Sequence, residues 1–403
     1  MNKLVVIAVL VAMLFSSCLG NTAPSSSSPS VSMASSANSL STSSINERAH
    51  VAESQLSLYS IVYFEPQSGY TVISSYLLDT LFIAGALYYD FDSANLCPSS
   101  NSVHDFSDVE AYFSVYKSHP FIEEFSKYTN DIMQDINGDA VQPLVHYILT
   151  GDTPNQWSGA LFASAEDVNV FINDLKQFYN DTEAEIFLKN NAKRQEMLEY
   201  IGKAAPEIPI ALYLSKMEAY VGNKDVLYGN SNLHYYCLTS PFRPAMASFY
   251  SCNIGNDIYF VAQTTPYSFI DGTLDMRQIL ETSIHENLHL FLNSAIAEKS
   301  ELIATLAQSL NPADFTSQMY AGMPWHRIVD EAIVRAVQAG IYRQVYNDSE
   351  RAYNELLVKE IGAGMANLDR MYEALLLYES DRSTYPSIDY YLDTLIHEYL
   401  HSN

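Results

Sequence analysis

The stretch Glu281-Thr282-Ser283-Ile284-His285-Glu286-Asn287-Leu288-His289-Leu290-Phe291-Leu292-Asn293 carries two histidines four residues apart, with a glutamate directly after the first. In a helix four residues advance about 400°, so both imidazoles leave the same face on successive turns. Two imidazoles so placed can share one Zn²⁺, and Glu286 then stands beside an open position where it can take a proton from water. The neighbouring residues favour that helix. Met276, Leu280, Ile284, Leu288, Phe291, Leu292 and Ala295 repeat at spacings of three and four, an apolar stripe beside the histidine face. Asp271-Gly272-Thr273 offers cap residues just upstream.

Two histidines do not complete a catalytic zinc site, which takes three protein ligands. One completion puts Gly three and His six residues after the second histidine, but Leu292 and Ala295 stand there. The other is a carboxylate on a second helix. Residues 325–339 read as an amphipathic helix, and Glu331 on it is the expected third ligand, with Asp330 and His326 as alternatives. Ile328, Ala332 and Ala336 would place Glu331 next to a core, where an acid needs a partner. Arg335, one turn on, can supply it. A second H-E-x-x-H, His397-Glu398-Tyr399-Leu400-His401, is expected to be the solvated end of a helix begun near residue 389. Tyr385, His326 and His119 are unranked candidates for stabilising an oxyanion, while His104 and His146 have no evident partners.

The chain has 21 basic and 47 acidic residues, a formal charge of −26, which disfavours nucleic acid or an anionic membrane surface as a partner. Lys3 followed by the apolar run 4–15 reads as an export signal over residues 1–17, too short to span a bilayer. Phe15-Ser16-Ser17-Cys18 resembles a lipobox with Phe in place of the usual leucine, so Cys18 is the expected lipidation site and the only membrane contact. Residues 18–46, rich in Ser, Thr, Ala, Pro and Asn, are expected to be a disordered tether. Of the remaining cysteines, Cys97, Cys237 and Cys252, the last two flank a proline-containing turn and are expected to be able to pair across a hairpin.

Periodicity suggests helices over 52–64, 71–89, 108–117, 120–135, 165–180, 183–204 and 295–310, and short strands over 235–239, 247–252 and 257–262. The expected architecture is α+β: mainly helical, with a small mixed sheet packed on the H-E-x-x-H helix. A helical N-terminal lobe over 47–225 would cover a catalytic lobe over 226–403.

With the motif and the Val329-Asp330-Glu331 helix in hand, the chain resembles gluzincins, metallopeptidases of the zincin class whose third ligand is a helical glutamate. It is also similar to a family of exported proteins known only as a domain of unknown function with an H-E-x-x-H motif. That similarity is carried by Gln55-Leu56-Ser57-Leu58-Tyr59-Ser60-Ile61, by 112–119 and by Tyr385-Pro386. The resemblance implies a zincin-like fold in which an edge strand binds extended substrate by main-chain hydrogen bonds, and 257–263 is the expected strand. The function expected is zinc-dependent hydrolysis of peptide or protein substrates. His285, His289 and Glu331 would hold Zn²⁺ and Glu286 would be the general base. Two alternatives are a non-catalytic surface-binding protein on the same scaffold and a hydrolase of non-peptide amides.

Overall fold

The computed structural model describes residues 58–91, 106–128, 141–155, 157, 161–243, 248–254, 256–264, 276–316, 322–347, 349–362 and 364–401. The export signal, the tether with Cys18, and Cys97 and His104 lie outside the described residues. Among the described residues no helix is long and apolar enough to cross a membrane.

The fold is α+β. Strands β1 (Ser60–Phe64) and β2 (Thr71–Ser74) come first, followed by helices α1 (Tyr76–Tyr88), α2 (Ser107–Phe113), α3 (Pro120–Glu123), α4 (Val141–Thr150), α5 (Ala165–Asp181), α6 (Ala184–Asn190), α7 (Ala192–Ala204), α8 (Ile210–Val221) and α9 (Lys224–Tyr228). Strands β3 (Asn232–Thr239), β4 (Ser248–Ile254) and β5 (Asp257–Thr264) precede the motif helix α10 (Met276–Ala297) and α11 (Ser300–Ala307). Then come α12 (Trp325–Tyr346), α13 (Ser349–Ala352), a π-helical turn (Tyr353–Val358), α14 (Lys359–Gly362), α15 (Leu368–Ser380) and α16 (Leu392–Tyr399).

The five strands form one mixed sheet in the order β1-β2-β3-β5-β4, with β2, β3 and β5 parallel and the two outer strands antiparallel to their neighbours. Side chains alternate across it, as the period of two requires. Val72, Tyr235, Cys237 and Phe260 enter the core that contains α7, α8, α10, α12, α15 and α16. Ile73, Leu238, Cys252 and Val261 enter a second core with α1, α2, α4 and α5. Helix α1 is buried on all sides from Leu77 to Leu87, the mark of a helix central to its layer.

Several expectations are corrected here. Residues 60–64 form β1, not the end of a helix, and the span 71–89 opens with the buried strand β2 before its helix begins. Residues 257–263 do not form an edge: β5 lies between β3 and β4, and β4 is the outer strand on that side. The Cys237–Cys252 pairing fails for the same reason. Cys237 is opposite Ala262 and Cys252 opposite Tyr259, so β5 separates the two thiols, which face different cores, and neither is in a disulfide among the described residues. β1 and β2 join the same sheet as β3, β4 and β5, and α7 and α8 pack in the core that holds the motif helix.

The motif helix is pinned by polar side chains from the elements around it. The backbone N–H of Met276 donates to the Tyr200 hydroxyl at 3.0 Å, and Tyr70 Oη lies 2.9 Å from Ser283 Oγ. Further along, Tyr228 Oη donates to the Leu290 carbonyl at 2.7 Å and Asn223 Nδ2 to the Phe291 carbonyl at 3.0 Å. Helix α12 crosses close to α8 at Gly340, where an added Cβ would stand 2.4 Å from Tyr220 Oη. That glycine lets α12 approach α8 closely.

Candidate metal centre

Helices α10 and α12 run antiparallel, and their contact carries a polar seam inside an apolar interface. On α10 the seam is Glu281, His285, His289 and Asn293, at steps of four that keep one face. On α12 it is Gln338, Glu331 and Asp330. His285 Nε2 stands 3.3 Å from His289 Nε2 and 3.4 Å from Glu331 Oε1, and His289 Nε2 stands 3.6 Å from Glu331 Oε2. One donor atom from each of the three residues lies within 4.8 Å of the others. Donors held about 2.1 Å from a tetrahedral Zn²⁺ stand about 3.4 Å apart; the ring-to-ring separation and the two ring-to-carboxylate separations, which end on different oxygens of Glu331, lie near that value.

The outer partners set which atoms face inward. Asp330 Oδ2 is 2.9 Å from His289 Nδ1, and a carboxylate can only accept there, so Nδ1 carries the hydrogen. The Asn293 amide, turned with its nitrogen toward Asp330, donates to both carboxylate oxygens at 2.8 and 3.0 Å. Arg335 holds Glu331 Oε1 at 2.5 Å through Nη2 and reaches Glu360 at 2.8 Å through Nη1. Glu360 arrives on α14, directly after the π-helical turn.

The electrostatics follow from this packing. Burial alone would depress the His289 imidazolium, but Asp330 and Glu331 more than reverse that and hold its pKa well above the usual histidine value. Burial alone would raise Glu331. Arg335 and then His285 outweigh it and keep this carboxyl well below its usual range. The pocket therefore favours a positive charge between the imidazoles and the carboxylate, whether a proton or a cation. Glu286 is 7% exposed, and burial raises its pKa against the opposing pull of His285, His289 and Arg243.

Each candidate ligand and oxyanion residue has a definite place. His285, His289 and Glu331 come together; Asp330 contacts the outer nitrogen of His289, and His326 is exposed one turn before it. His119 caps α3 by accepting from the Phe121 N–H and lies 3.2 Å from Asp181. Tyr385 packs edge-on against Tyr391. His397 is exposed and His401 lies beyond the end of α16; Glu398 between them pairs with Arg370 at 2.8 Å. Tyr399 of that second motif is buried and donates to the Phe315 carbonyl at 2.8 Å, so the segment anchors the C-terminal helix.

Gln338, Asn293, Glu360 and Arg243 escaped sequence reasoning. For Gln338 a signal existed: it follows Glu331 by seven residues, two helical turns, and so shares its face. Arg243 had none. It follows β3, is 5% exposed and donates to Gln263 Oε1 at 2.8 Å, and its charge reaches Glu286 only through the tertiary fold.

The chain matches the family described as Domain of unknown function (DUF4932) over residues 156–397, more than half of its length. The protein belongs to that family. Comparison with curated proteins and with solved structures finds no match. The DUF4932 match spans α5 to α16, and so includes the motif helix, α12 and three of the five strands.

Proposed function

We propose that this DUF4932 protein is a zinc-dependent peptide hydrolase of the zincin type, exported and tethered to a membrane through lipid on Cys18. The observation that carries the reading is the set of 3.3, 3.4 and 3.6 Å separations among His285 Nε2, His289 Nε2 and the Glu331 carboxylate. A zinc ion held by these three residues would supply Lewis acidity, activating water and polarising the scissile carbonyl. The other steps belong to the chain. Glu286 takes a proton from the attacking water as its oxygen bonds to the carbonyl carbon, then passes that proton to the nitrogen as the C–N bond breaks. Asp330 and Asn293 hold His289 in place, and Arg335, balanced by Glu360, holds Glu331.

For substrate, the outer strand in contact with the motif helix among the described residues is β4, not β5. An extended peptide laid along Ser248–Ile254 would continue the sheet by main-chain hydrogen bonds. The test is cleavage of a fluorogenic peptide library by the purified protein, with a chelator added and zinc then restored. Chelator-sensitive cleavage that returns with zinc is expected. A protein that binds zinc and cleaves no peptide would move the reading to a surface-binding role, and turnover of non-peptide amides alone would move it to that class.

A further inference from the structure

We propose that Gln338 is a positioning residue for His285, fixing this imidazole as the tautomer with hydrogen on Nδ1 so that Nε2 presents a lone pair toward His289 and Glu331. The inference rests on the metal-site reading but concerns a residue and a hydrogen atom which that reading does not specify. Its basis is which groups can donate. Gln338 Nε2 lies 2.7 Å from the backbone carbonyl of Glu281, and a carbonyl only accepts, so the amide edge there is the NH₂. Reversing the amide would set two acceptor oxygens against each other at that distance. Oε1 is thereby directed at His285 Nδ1, 3.3 Å away, and only an N–H on that nitrogen satisfies the contact. Gln338 is 8% exposed, so bulk water has little access to it.

The arrangement is asymmetric. His289 is held by the carboxylate of Asp330, His285 by a neutral amide, and both holders come from α12 together with Glu331. A single helix therefore delivers one inner carboxylate and both acceptors that turn the imidazole lone pairs inward. With both Nδ1 atoms protonated, the two Nε2 lone pairs face each other at 3.3 Å, which is favourable only when a proton or a cation lies between the rings. The amide at position 338 achieves this for His285 without adding another negative charge to a seam that already contains Asp330 and Glu331.

Gln338→Leu removes both the acceptor and the NH₂ donor; Gln338→Glu removes the donor to the Glu281 carbonyl but keeps an acceptor for Nδ1. These two variants separate tautomer control from simple helix clamping. In metal-free protein with ¹⁵N-labelled histidine, long-range ¹H–¹⁵N correlation should find His285 of the wild type and of Gln338→Glu with hydrogen on Nδ1, and of Gln338→Leu shifted toward hydrogen on Nε2. Zinc affinity by chelator competition should fall about 10–100-fold in Gln338→Leu and clearly less in Gln338→Glu. Wild-type His285 with hydrogen on Nε2 would overturn the proposal, and so would equal losses of affinity in both variants, which mark a clamp alone. If Gln338→Leu does not fold, the wild-type tautomer and the Gln338→Glu comparison still decide. A wild type that binds no zinc removes the metal-site reading while the tautomer measurement still judges Gln338.

Discussion

Glu286→Gln is expected to retain zinc and to lose hydrolysis by a factor of about 10²–10⁴, the usual contribution of a positioned general base. The residue lies beside the group formed by His285, His289 and Glu331 without belonging to it, so an isosteric amide leaves the ligands unchanged. A glutamine cannot accept the proton that the attacking water must release. The burial that raises the Glu286 pKa also makes it a stronger base than an exposed carboxylate, while the imidazoles and Arg243 keep it ionisable. Glu331→Gln should behave otherwise: without the charged oxygen, zinc occupancy and activity fall together, and excess zinc restores part of both. Metal analysis and initial rates on the same preparations check both outcomes. Hydrolysis at full rate in Glu286→Gln would refute the assigned base, and normal zinc in Glu331→Gln would move the third ligand to another residue.

The second large effect is on stability and lies away from the site. Arg194 of α7 and Asp79 of α1 form an ion pair at 2.7 Å with 2% and 0% of their side chains exposed. Arg194 also donates to Ser74 Oγ at 2.7 Å and lies over the Tyr76 ring at 4.4 Å. Helix α7 belongs to the core that holds the motif and α1 to the opposite core, so this pair links them around the end of β2. Removing one partner strands the other charge in the interior, and Arg194→Met should cost about 3–5 kcal/mol. The double variant Arg194→Met with Asp79→Leu should recover much of that loss, because an apolar pair carries no desolvation cost. Urea denaturation of the single and double variants measures this. A single variant within about 1 kcal/mol of wild type would mean that the pair does not hold the two cores together.

Much of the site is legible in the sequence because helices turn residue spacing into geometry. The steps of four from Glu281 to Asn293 define a face, and the apolar stripe beside it dictates which flank is buried. Choosing among Asp330, Glu331 and His326 was harder, since the three stand close together on one helix. The structure separates them by distance: Glu331 reaches both inner nitrogens and Asp330 the outer one. The sheet was far less legible. Thr71–Ser74 is four buried residues, too few to tell a strand from the first turn of the apolar helix behind it. Ile61, Val62, Tyr63 and Phe64 are good strand formers, but a helical period imposed on 52–64 hid them. Strand order could not be read at all. Parallel pairing of β2 with β3 joins residues about 165 positions apart, and nothing local announces that β5, not β4, is β3's neighbour. The expected disulfide failed at this point, because sequence proximity across a turn says nothing about a strand inserted between two others.

Zinc content of the purified full-length chain and of two histidine variants tests the central claim most directly. Elemental mass spectrometry after gel filtration should find one zinc per wild-type chain, none in His285→Ala, and one in His397→Ala, whose imidazole is exposed at the second motif. Zinc that persists in His285→Ala and disappears in His397→Ala would contradict the assignment of the metal centre to the α10–α12 seam.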